Sequence, residues 1–149
     1  MSQYPEGIYT LIISIEGKQE LEIGNLGRNV FSGEYLYVGS AHGPGGLKRV
    51  TRHIKVSTGT TTGDHWHVDY LTDPGEIKET WLIPTDKDLE CKLVADLTDI
   101  FEQPVRGFGS SDCECFSHLF TYDSGRKNEL IKKLDRLEPE GKPIRFDWK

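Results

Sequence analysis

Apolar positions run almost unbroken from Gly7 to Ile15, with Ile8, Tyr9, Leu11, Ile12, Ile13 and Ile15 in one stretch. A run of that length, rich in Ile, Leu and Tyr, predicts a buried strand. Residues Glu20 to Ile23 alternate and read as the partner strand of a hairpin, and Asn25-Leu26-Gly27 and Ser32-Gly33 carry turn signals. Tyr35 to Gly39 predicts a second strand, which Gly43-Pro44-Gly45-Gly46 ends sharply. The period then changes. At about 100° per residue, Leu47, Val50 and Ile54 share one helical face, Arg49 and His53 lie at its edge, and Lys48, Arg52 and Lys55 occupy the opposite side. A polar loop over Thr58 to Gly63, a short helix over Asp64 to Leu71 and a strand over Ile77 to Ile83 follow. Thr85, with Asp88 three residues on, resembles a capping box for a helix running to about Phe101. Ser117 to Tyr122 reads as a strand, Ser124 to Leu137 as a charged helix and Ile144 to Trp148 as a last strand. This order predicts an α+β fold in one domain over residues 1–149, a small mixed or antiparallel central sheet flanked by helices.

Composition narrows the function classes. Hydrophobic residues at 36% and charged residues at 28% suit a globular chain in water, and the longest apolar stretch is too short to cross a bilayer. The N-terminus lacks a basic segment and a cleavage site, so a cytoplasmic location without membrane partners is expected. A net charge of −6 counts against nucleic-acid binding by the whole surface, since such binding draws its affinity from phosphate neutralisation. A local basic patch remains open. Three cysteines do not make a disulfide framework in a chain of 149 residues.

The chemistry-bearing residues come in order along the chain. Tyr9 and Tyr37 each sit on a predicted strand, where a lone tyrosine is usually packing. Arg49 and His53, four apart, lie side by side on the helix. The guanidinium suits a phosphate and the imidazole can move a proton near neutral pH; an ordinary solvated basic face is the alternative. Glu90 is the sharpest signal. With Leu89 at 0°, Ile100, Leu93, Leu97, Phe101 and Val94 spread over roughly 20° to 140°, and Glu90 falls inside that arc at about 100°. A carboxylate facing inward needs a cation, either a metal or an arginine such as Arg49.

Together these residues resemble the GIY-YIG nuclease superfamily. Gly7-Ile8-Tyr9 and Tyr37-Val38-Gly39 match its two motifs, with Arg49, His53 and Glu90 following in the family's order. His65-Trp66-His67-Val68-Asp69-Tyr70-Leu71 and Gly107 to Cys113 are similar to a prokaryotic, largely archaeal branch. The interval from Tyr9 to Tyr37 is long for the family and implies an inserted hairpin, and no counterpart of the family's later asparagine is found. The resemblance implies a metal-dependent endonuclease acting on DNA in repair or processing. Tyr9, Tyr37, Arg49, His53 and Glu90 would be catalytic, with Glu90 holding Mg²⁺ or Mn²⁺. It also implies recognition of DNA structure or lesions and a base-excision repair partner. A catalytically weak adapter on the same fold is the second class.

Lys48, Arg52, His65 and His67 are candidate substrate contacts. For the lysine and arginine the alternative is a solvated face; for the histidines it is a helix cap. Cys113, Cys115 and His118, with Cys91 or His67 as a fourth ligand, form a candidate zinc site, or else the cysteines are small, partly buried residues beside a strand. Basic residues between Arg126 and Arg136, interleaved with Glu129 and Asp135, read as a solvated helix, with a phosphate-contacting face as the alternative.

Overall fold

The computed structural model describes residues 6–41, 46–59, 67–72, 74–85, 87–110, 115–137 and 144–147. The expected Gly43–Gly45 break, most of the 58–63 loop and the first three residues of the predicted 64–71 helix lie outside them, as do His42, His65, Trp66 and Cys113. Strand β1 spans Gly7–Glu22 and pairs antiparallel with β2, Arg28–Ala41. Strand β3 (Glu76–Pro84) lines the other side of β1, β4 (Leu119–Thr121) pairs with β2, and β5 (Ile144–Asp147) pairs with β3. All pairings are antiparallel and the order is β4-β2-β1-β3-β5.

Side chains alternate across a strand, and here both faces are covered. Tyr9, Leu11, Ile13, Tyr35 and Tyr37 point to one side, under α1 (Arg49–Ser57) and α2 (Asp69–Thr72), with Val50, Leu71 and Phe108 in the same core. Ile8, Ile12, Leu36 and Val38 point to the other, under α3 (Glu90–Leu97) and α4 (Lys127–Leu137). Each fully buried Leu or Ile contributes about 1.5–3 kcal/mol, so the unbroken apolar run of β1 anchors two cores at once.

The extra residues between the motif strands do form a hairpin, but not a separate one. Glu20 to Glu22 continue β1 and pair with Arg28 to Val30 of β2. The register slips between Ile15 and Gln19, opposite Gly33 and Phe31, so two extra residues bulge from β1. Gly17 and Gly33 take positive φ there, 65° and 88°, which explains why Ser32-Gly33 reads as a turn yet lies within a strand. Among the described residues, no helix is long and apolar enough to cross a membrane.

Basic side chains of the C-terminal helix make intramolecular contacts. Lys127 Nζ lies 3.1 Å from Glu79 and Lys133 Nζ 3.7 Å from Asp99, while Arg126 donates to the Ile100 carbonyl at 2.8 Å.

Candidate active site

Tyr9 points from β1 towards α1, which sets His53 above it. The Tyr9 hydroxyl is 2.7 Å from His53 Nε2, and both side chains are buried. Directly across the ladder from Tyr9 is Gly39. A Cβ at Gly39 would collide with the Tyr9 ring, so the glycine of the second motif makes room for the tyrosine of the first. The ring of Tyr37 stands 6.5 Å from that of Tyr9, with Phe108 against it at 6.1 Å and Gly109, at φ 68°, packed on its phenol end.

One turn before His53, the half-buried Arg49 donates to the Ser40 carbonyl at 2.7 Å, which ties the helix to the end of β2. Arg52 binds both carboxylate oxygens of Asp69, each at 3.0 Å. This geometry is bidentate, and the Asp69 side chain is fully buried. Asp69 Oδ1 in turn is 4.0 Å from His53 Nδ1. A carboxylate on that side favours the tautomer with the proton on Nδ1, leaving Nε2 to accept from the Tyr9 hydroxyl. A row therefore runs Arg52, Asp69, His53, Tyr9. The sequence shows Asp69 only as a member of the polar cluster with His65 and His67. Its place directly before the apolar Tyr70-Leu71 is the one local sign that it turns inward.

Burial, then the Tyr37 hydroxyl and the charges of Glu90 and Asp69, raise the Tyr9 pKa well above its ordinary value, and only Arg49 opposes them. Tyr9 is therefore a neutral phenol. Burial lowers His53 to about 4, against the pull of Asp69, so the imidazole is neutral at pH 7.

That shift has a consequence for stability. The unfolded chain protonates His53 near 6.5, whereas the folded protein resists until about 4. Between those values the unfolded state holds more protons. The stabilisation is complete above about pH 6.5 and is lost as pH falls towards 4, amounting to about 3 kcal/mol. Urea unfolding at pH 7 and pH 4.5 should show this loss, and it should shrink in His53→Gln. An equal pH dependence in that variant would assign the effect to other groups.

Glu90 opens α3 on the far face of the sheet, yet its charge is felt at the Tyr9 hydroxyl. Its carboxylate is half-buried, with Oε1 3.6 Å from His118 Nδ1. Ligand atoms of Cys91, Cys115 and His118 all lie within 4.8 Å of one another, so this group could bind a metal ion. Burial lowers the His118 pKa, which keeps the ring in the neutral form that a metal requires.

The remaining candidates are placed as follows. Lys48 is exposed at the start of the arginine helix. His67 accepts a hydrogen bond at Nδ1 from the Gly109 amide at 2.8 Å, and so braces the loop lying on Tyr37. Burial lowers its pKa. Thus Tyr9 meets both His53 and Tyr37, Arg49 acts electrostatically on Tyr9 and His53 and Glu90 on Tyr9, and Arg52 is held by Asp69. A family profile described as "Domain of unknown function DUF123" matches residues 8–138. No curated protein and no solved structure matches the chain.

Proposed function

Because the chain belongs to the DUF123 family, described only as a domain of unknown function, its activity has to be read from its site, and we propose that it is a metal-dependent endonuclease of the GIY-YIG type that hydrolyses DNA phosphodiesters. The observation that carries this reading is the buried 2.7 Å contact between the Tyr9 hydroxyl and a neutral His53. A phenol with a raised pKa cannot act as a standing phenolate. Bonded to a neutral imidazole, it can take a proton from an attacking water while passing its own proton to Nε2. The water oxygen forms the new bond to phosphorus, the bond to the leaving sugar oxygen breaks, and that oxygen takes a proton from solvent. Asp69 stabilises the imidazolium that results, as a carboxylate behind a catalytic histidine does. Arg49 offers a fork of donors to the phosphate as charge develops on it.

The carboxylate of Glu90, 18% exposed, fits a hard divalent cation such as Mg²⁺ or Mn²⁺. Such an ion supplies charge neutralisation at the scissile phosphate. The two thiols and imidazole of Cys91, Cys115 and His118 form a different donor set, and its softness fits zinc. Selection of DNA by structure or lesion, beside a base-excision repair partner, accords with the net charge of −6, which leaves little attraction for DNA at large.

Magnesium-dependent nicking of supercoiled and branched or lesion-bearing duplexes tests the proposal. Tyr9→Phe keeps the ring and its packing, and should lower nicking by about 10²- to 10⁴-fold, the range for losing a general acid–base group. Wild-type nicking in that variant would remove Tyr9 from the chemistry. DNA binding without magnesium-dependent nicking in the native protein would favour the adapter.

A further inference from the structure

The thiol–imidazole group and the catalytic carboxylate are neighbours twice over. Cys91 follows Glu90 in the first turn of α3, and His118 lies 3.6 Å from the Glu90 carboxylate. His118 is itself fixed. Its carbonyl accepts from the Val38 amide at 3.0 Å, and its amide donates to the Phe108 carbonyl at 2.8 Å. Those contacts join it to the strand residue after Tyr37 and to the ring packed against Tyr37. The first turn of α3, by contrast, begins at Leu89 with no side-chain cap. A helix start without a cap holds its first residues weakly.

We propose that a zinc ion held by Cys91, Cys115 and His118 clamps the first turn of α3 to the β2 side of the site, and so sets the position of Glu90 relative to Tyr9 and Tyr37. This inference rests on the reading of Glu90 as the ligand of the hard cation. An imidazole that gives one nitrogen to a metal presents its other N–H to a carboxylate. Here Glu90 is the carboxylate at hand, and closing the 3.6 Å separation by about 0.4 Å gives a hydrogen bond. One oxygen of Glu90 then steadies the zinc-bound histidine, and the other is left for the hard cation. The nuclease thereby depends on a second metal that acts through the placement of Glu90, and reagents that strip zinc or oxidise the thiols switch it off.

The full chain, purified under reducing conditions, should carry about one zinc per molecule by elemental analysis. Cobalt substitution should give the absorption of a tetrahedral thiolate site. Glu90→Gln should keep the fold and weaken zinc binding by about 10- to 100-fold in chelator competition, the usual effect of losing an outer carboxylate. The exposed Cys91→Ser should lose zinc and at least about tenfold in nicking with an unchanged circular dichroism spectrum. Absence of stoichiometric zinc, zinc affinity untouched by Glu90→Gln, or full nicking by zinc-free protein would each overturn the clamp. Zinc binding that depends on Glu90 in a protein that nicks no substrate would sustain the clamp and defeat the nuclease reading instead.

Discussion

Glu90→Ala and Arg49→Ala should each lower magnesium-dependent nicking by about 10²- to 10³-fold, the usual effect of removing one group aimed at developing charge. The two losses should differ in kind. Glu90→Ala removes the only carboxylate assigned to the hard cation, so raising the magnesium concentration should recover little. Arg49 donates to Ser40 and lowers the Tyr9 pKa, so its loss should push the alkaline limb of the pH profile further up. The sign follows from the charge: without the cation the phenol holds its proton more tightly. Variants that nick as fast as the native protein would end the assignment of both residues.

Arg52→Ala should have the largest effect on stability. It leaves the Asp69 carboxylate, fully buried, without the two 3.0 Å bonds that now hold it. Breaking such a pair from one side costs about 3–5 kcal/mol. For a chain of this size the midpoint of thermal unfolding should fall by roughly 10 °C. The partly exposed guanidinium bears less of the burden, so Asp69→Asn, which keeps a hydrogen-bond acceptor in place, should cost less. Equal stability of Arg52→Ala and the native protein by calorimetry would show that Arg52 is only a surface charge, as the sequence alone suggests.

Some features were plain in the residue pattern. The two motif tyrosines fall on strands because their neighbours are apolar and β-branched, and the helix after the second motif follows from the spacing of Val50 and Ile54. Other features depend on choices the pattern cannot make. Thr85 reads as a helix cap, but its hydroxyl accepts from the Lys87 amide at 3.1 Å, closing a small turn. Its own amide donates to the Glu6 carbonyl, so the chain leaves the sheet before any helix begins. The helix accordingly spans Glu90–Leu97, shorter than the apolar spacing of Leu89, Ile100 and Phe101 suggests. Glu90 stands at its first position. The pairing of Arg52 with Asp69 was not legible because the partners lie 17 residues apart and meet only when α2 returns against α1. The proximity of His118 to Glu90 was hidden for the same reason: it is a product of tertiary packing.

The sheet is covered on both sides, and the residues proposed as catalytic are divided between those sides. Tyr9, Tyr37 and His53 belong to the layer beneath α1, while Glu90 is delivered by a helix seated on the opposite layer. A half-folded chain, with one layer formed and the other loose, holds either the phenols or the acid in place, never both. On the proposed function, the site would thus be complete only when both layers are packed.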